Sequence, residues 1–111
     1  MGTTDIEVPS ITPAEAKVMM AQGNTLVIDV RETHEVVRTG KIAGAEHVPC
    51  GLLPFRTFDK SKTILLYCAA GERSAWSGQI LKATGYRDVY NLGAFKDWVA
   101  SGGAVELLPS D

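Results

Sequence analysis

Only two cysteines and two histidines occur in this chain of 111 residues. Cys50 and Cys68 cannot form a metal cage alone, and His34 and His47 are the only histidines available to help them. No metal is therefore expected, and nothing in the sequence implies an organic cofactor. Basic residues are not in excess: 11 Lys and Arg stand against 13 Asp and Glu, for a net charge of −2. That balance argues against nucleic acid and anionic membrane as partners. No apolar run approaches the ~18 residues of a membrane span. The opening "MGTTDIEVPS" has neither a basic n-region nor an apolar h-region, so no secretion signal is read there. Two free thiols suit a reducing compartment. These absences leave a cytoplasmic protein folded as one domain over residues 1–111, with room for one core only.

What is present alternates between strand-like and helix-like segments on short connections. "SITPAEAKVMMAQG" carries a helix start, with Thr12 as N-cap, Pro13 at the first helical position and Glu15 three residues after the cap. "TLVIDV" (25–30) is a β-branched apolar run and reads as a strand buried on both faces. "ETHEVVRTG" (32–40) makes about two helical turns, and "AEHVP" (45–49) is a brief strand stopped by Pro49. "TILLYC" (63–68) is the second strongly apolar strand. "SAWSGQILKATG" (74–85) is a helix, "RDVYNL" (87–92) a third strand-like piece, and "AFKDWVASGG" (94–103) a last helix. Strands alternating with helices at these lengths predict an α/β domain with a mostly parallel sheet. Ligands of such sheets bind beyond the carboxyl ends of the strands, and Cys68 stands at one.

Two readings compete for Cys68. A cysteine closing an apolar strand is commonly an inert core residue. The alternative is a nucleophile, and "CAAGERSA" has features that favour a thiolate. A helix follows at once, bringing the positive end of its dipole near the sulfur. Ala69, Ala70 and Gly71 are small enough for successive N–H groups to curl around an anion. Arg73 adds a permanent cation, and Ser74 begins the helix. Glu72 pulls the other way, because a carboxylate facing inward would repel an anionic ligand.

These residues resemble the rhodanese family, the single-domain sulfurtransferases, from about Ile11 to Ala104. "LVIDVRETHEVVRTGKIAGAEHVP" is similar to the family's Asp-Val-Arg-Glu, Glu and Gly-x-Ile-x-Gly-Ala run ending in Pro. "YCAAGERSA" is similar to its Cys-x-x-Gly-x-Arg-Ser, and "GYRDVYNLGAF" with Trp98 to its late strand, glycine turn and tryptophan. The resemblance implies a three-layer α/β/α domain and a persulfide mechanism. Cys68 would take a sulfane sulfur from thiosulfate or a persulfide and pass it to cyanide or a thiol. The backbone of Ala69, Ala70, Gly71, Glu72 and Arg73, with Ser74, would form the anion cradle. Donor and acceptor would be small molecules or proteins. Cys68 to Arg73 counts six residues, the sulfurtransferase length within the family. Phosphatase and arsenate reductase relatives carry one more. Departures are Lys41 where many relatives have His, Ala94 where they have a second Gly, and the lack of any loop cation besides Arg73. A non-catalytic sulfur-relay or regulatory module using the same loop is the alternative.

Asp29 and Arg31 end the first strand, and Glu35 follows four residues later. They read as a structural ion-pair and capping cluster, with lining of the pocket as the other reading. Cys50, just past Pro49, is either a tolerated thiol or a resolving thiol at the pocket edge, attacking a Cys68 persulfide. His47 reads as a buried, hydrogen-bonded side chain and His34 as exposed. Trp76, Ile80, Leu81, Phe95, Trp98 and Val99 read as helix packing residues. Phe55 and Phe58 fall in the irregular 54–62 stretch.

Overall fold

A computed structural model describes residues 6–108. Residues 1–5 and 109–111 lie outside it, and with them half of the segment read for a targeting signal. Elements follow in the order α1 (Pro13–Gln22), β1 (Thr25–Asp29), α2 (Thr33–Thr39), β2 (Lys41–Ile42) and β3 (Glu46–His47). A short 3-10 helix (Leu53–Phe55) precedes β4 (Thr63–Cys68), α3 (Glu72–Ala83), β5 (Val89–Ala94), α4 (Phe95–Ala100) and β6 (Val105–Glu106). The main sheet has the order β3-β1-β4-β5, and every neighbouring pair is parallel. The expected α/β architecture is therefore observed.

The α1 start follows its sequence signal: Thr12 Oγ1 accepts the Glu15 N–H at 3.1 Å, and Glu15 Oε1 accepts the Thr12 N–H at 2.8 Å. β4 is buried from Ile64 to Cys68 because it lies inside the sheet with both faces covered. Its side chains alternate between two cores. Ile64, Leu66 and Cys68 join Ile28, Val30, Leu53 and Leu81 on the α3 side. Leu65 and Tyr67 join Val27, Phe95 and Trp98 on the α1 and α4 side. The register Asp29↔Tyr67 places β1 and β4 side by side to their carboxyl ends. Cys68 thus points towards α3 at the end of a central strand.

Several expected boundaries shift. β3 is two residues long instead of 45–49, and β5 runs to Ala94 instead of ending at 92. α3 starts at Glu72, two residues before the expected 74, because Gly71 takes the N-cap position at φ +99° and its carbonyl accepts the Ala75 N–H at 3.1 Å. The antiparallel pair β2–β6 and the 3-10 helix have no counterpart in the sequence reading. Trp76 and Val99 were expected to pack, yet each is 48% exposed. The reason for Trp76 is the inner face of α3, formed by Ser74, Ser77, Gly78 and Leu81 at helical spacing. Small residues let the helix lie close: a Cβ at Gly78 would come within 2.7 Å of Val8. Trp76 is left on the outer side.

Asp29 and Arg31 are buried on the face opposite Cys68. Arg31 bonds Asp29 through Nε and Nη2, the latter at 2.6 Å, and also reaches Thr39 Oγ1 at 2.9 Å and the Gly40 carbonyl at 2.8 Å. Its guanidinium lies 4.3 Å from the Phe95 ring centre. Burial works against the Arg31 charge, but the bonds to Asp29 and its negative charge outweigh it and raise the pKa. Removing one partner leaves a buried charge uncompensated. Asp29→Ala is expected to destabilise the fold by about 3–5 kcal/mol, read as a lowered urea midpoint. A wild-type midpoint would contradict this role.

Candidate active site

Three residues, Ala69 to Gly71, carry the chain from β4 into α3. So short a reversal needs a left-handed residue, and Gly71 supplies it at φ +99°. The turn folds the start of α3 back over the sulfur. The Gly71 N–H donates to Cys68 Sγ at 3.0 Å, and Ser74 Oγ lies 3.4 Å from it. Burial resists charge on Cys68, which is only 1% exposed. The Ser74 hydroxyl and the N–H groups of Ser74, Gly71 and Ala70 outweigh that resistance and lower the thiol pKa. Dipoles aimed at the sulfur do the work.

The other candidates take different places. Ala69 and Ala70 are exposed, and Glu72 is exposed in the first turn of α3. Arg73 does not act as a free cation: Nη1 and Nη2 bond the two oxygens of Glu35 at 2.7 and 2.9 Å. Glu35 Oε2 also accepts the Glu32 N–H at 2.8 Å, so it joins the start of α2 to the start of α3. Bonding to Arg73 lowers the Glu35 pKa from 4.5 to about 2, and the same contact raises that of Arg73. The Cys68 and Cys50 sulfurs add smaller contributions in the same direction to Arg73.

Cys50 is half-buried against the core that contains Cys68. Its N–H donates to the Val30 carbonyl at 2.9 Å, and the Val30 N–H donates to the Tyr67 carbonyl at 3.0 Å. The two cysteines therefore flank β1 on either side. Two inter-strand steps separate their backbones by roughly 9–10 Å, beyond the ~7 Å limit for a disulfide. The resolving-thiol expectation lacks the geometry it requires in this backbone. His47 is half-buried, and its Nε2 donates to the Arg31 carbonyl at 2.7 Å; His34 is exposed. Phe58 is buried, while Phe55 is 83% exposed.

Next to the loop lies an open cleft of about 260 Å³, lined by Arg31, Glu35, Arg38, Ala69, Phe95 and Lys96 among others. Among the described residues, Arg38 and Lys96 take part in no ion pair. No three His, Cys, Asp or Glu side chains of the described residues come together as a metal site. No described helix is long and apolar enough to cross a membrane. Sequence reasoning missed one residue of the site: Asn91, on β5, accepts from Ser74 Oγ at 2.7 Å. A lone amide in the strand "DVYNL", two residues before Gly93, was the signal available.

A family model for the rhodanese-like domain matches residues 12–101. The chain belongs to the rhodanese-like family. A sulfurtransferase of Allochromatium vinosum is 32% identical over 82 residues, covering 71% of this chain and 76% of that protein. A rhodanese-related protein of Thermoplasma volcanium matches with a TM-score of 0.79 at 28% identity, covering 90% of this chain and 99% of that one. A Rhodopseudomonas palustris protein, described as of unknown function and a candidate tyrosine phosphatase, matches with a TM-score of 0.80 at 27% identity. That match covers 89% of this chain and 85% of the other. Rhodanese-like membership and the sulfurtransferase relative support a sulfurtransferase-type function.

The Glu35–Arg73 contact has a pH signature. Because the folded pKa of Glu35 is depressed, its contribution is complete above the ordinary 4.5 and disappears as pH falls towards about 2. Glu35→Gln is expected to be less stable than wild type at neutral pH, with the difference closing across that acid window. Urea midpoints measured at a series of pH values check this; a difference independent of pH would contradict it.

Proposed function

We propose that this rhodanese-like protein moves a sulfane sulfur from a donor to a thiophilic acceptor through a persulfide on Cys68. The Cys68 thiolate attacks the outer sulfur of the donor, forming an S–S bond. The old bond to that sulfur breaks and its electron pair leaves with sulfite, if the donor is thiosulfate, or with a thiolate, if it is a persulfide. Cyanide or a thiolate then attacks the outer sulfur, and Cys68 departs as thiolate. The single observation that carries this reading is the Gly71 N–H at 3.0 Å from a Cys68 sulfur at a central strand end. Preorganised donors stabilise an anion at that position without reorganising during the reaction.

Each loop residue has a proposed part. The amides of Ala70, Gly71 and Ser74 hold the Cys68 thiolate, and the backbone of Ala69 to Arg73 receives the outer sulfur of the persulfide. Arg73, braced by Glu35, shapes the loop and adds positive potential. Glu72 is exposed in the first turn of α3, beside the equally exposed Ala69 and Ala70, and its carboxylate weighs against an anionic donor and for a persulfide. Arg38 and Lys96 at the cleft rim favour the approach of an anionic donor. Arg31 forms a wall of that cleft while Asp29 holds it from behind. Since Cys68 is only 1% exposed, the donor must present a protruding sulfur atom. A cytoplasmic setting, in which both thiols stay reduced, fits this chemistry.

Intact-mass measurement after incubation with thiosulfate or a small-thiol persulfide tests the proposal. The expected result is a gain of one sulfur atom, removed by cyanide and absent in Cys68→Ser. No uptake from any donor would overturn it. Uptake without cyanide discharge would favour a relay module instead, and hydrolysis of a phosphate ester would favour a phosphatase, against which the six-residue Cys68–Arg73 spacing argues.

A further inference from the structure

Asn91 sits in β5 among apolar neighbours and is only 9% exposed. A buried amide in such a place must find partners, and all of those it has belong to the sulfur loop or its surroundings. Nδ2 donates to the Gly71 carbonyl at 3.0 Å, while Oδ1 accepts the Gly93 N–H at 2.9 Å. A carbonyl only accepts and a backbone N–H only donates, so the amide is oriented one way. Oδ1 is then an acceptor for the Ser74 hydroxyl, 2.7 Å away. Ser74 Oγ in turn lies 3.4 Å from Cys68 Sγ. The Gly71 and Gly93 backbones pass close to each other: a Cβ at Gly71 would stand 3.5 Å from Gly93 Cα. Asn91 joins both of them to the first turn of α3.

We propose that Asn91 is the positioning residue of the sulfur site, holding the Gly71 N–H and the Ser74 hydroxyl in line with Cys68. While the sulfur carries its proton, the Ser74 hydroxyl donates to Asn91 Oδ1 and a lone pair of Oγ accepts from the thiol. When the thiol proton passes to a base in solvent, the single Ser74 proton turns to the anionic sulfur and leaves Oδ1, a loss that by itself favours the thiol. The larger effect is the Nδ2 bond that fixes Gly71, and with it the N–H aimed at the sulfur, while Oδ1 keeps the Gly93 N–H. Charged and titratable groups near Cys68 come from three other places. Arg73 on α3 is held by Glu35 of α2, Cys50 follows β3, and Glu72 is exposed in the first turn of α3. β5 brings Asn91, Gly93 and Ala94 to this end, none of them titratable. The inference rests on Cys68 being the nucleophile of the proposed function, but its test needs no sulfur donor.

The rate of Cys68 alkylation by iodoacetamide is measured against pH, with the Cys68 and Cys50 peptides resolved by mass, in wild type, Asn91→Ala, Ser74→Ala and the double variant. Asn91→Ala is expected to raise the pH midpoint by about one unit, the scale of one well-placed hydrogen bond. Ser74→Ala is expected to raise it too, and the double variant no further than Asn91→Ala alone, because both act through one unit. Circular dichroism confirms folding, and Asn91→Ser, smaller but polar, replaces Asn91→Ala if the latter does not fold. A wild-type midpoint in the folded Asn91 variant overturns the proposal. So does a Ser74→Ala shift that persists in full when Asn91 is already gone. Failure of sulfur uptake with these shifts present would count against the transfer reaction and leave the positioning role standing.

Discussion

The chain has three residues in which to turn from β4 into α3, and most of the site follows from that constraint. β4 is fixed by its neighbours on both sides, so its last side chain, Cys68, must point into the α3 face. The turn closes only with a left-handed residue, which Gly71 provides. Closing it brings the unbonded N–H groups of the helix start onto the sulfur rather than into solvent. A helix entering so abruptly must also lie close to the sheet. Its inner face is built of Ser74, Ser77 and Gly78, small enough for a close approach, and at Gly78 the neighbour is Val8 of the segment before α1.

Electrostatics in this end of the sheet are divided between two ion pairs. Asp29–Arg31 is buried, shares its remaining donors with Thr39 and Gly40, and locks α2 to the strand ends. Glu35–Arg73 is partly open to solvent and ties α2 to α3 across the mouth of the site. With Arg73 paired, the sulfur is stabilised mainly by oriented hydrogen-bond donors, the most effective kind of support in a site screened from water. Arg38 and Lys96, which take part in no ion pair among the described residues, line the open cleft beside the loop.

Much of this was legible in the sequence because the strong signals are local. Thr12-Pro13 with Glu15 encodes a helix start by itself, and β1 and β4 announce themselves as short β-branched or leucine-rich runs. The resemblance carried by "DVRE" and "CAAGERS" directs attention to Cys68–Ser74, where the structure sets the Gly71 N–H on the Cys68 sulfur. What stayed hidden depends on tertiary contact. β2 and β6 are two residues each and exist only by pairing with each other. In a helix pattern an aromatic such as Trp76 weighs heavily, while the small residues Ser74, Ser77 and Gly78 that form the inner face of α3 weigh little. Asn91 has only Gly93 as a local partner, and its bonds to the sulfur loop, to Ser74 and Gly71, span 17 and 20 residues of sequence. Sequence proximity pairs Glu35 with Arg31, whereas the cation it binds, Arg73, is 38 residues away.

The central claim is that oriented donors over a short turn keep Cys68 ready as a thiolate despite its burial. Ultraviolet absorbance of the thiolate, followed against pH in the wild type with the Cys68→Ser signal subtracted to remove Cys50, measures this directly. The account expects a midpoint below the ~8.5 of a free cysteine. A midpoint at or above that value would show that burial outweighs the cradle and would contradict the account.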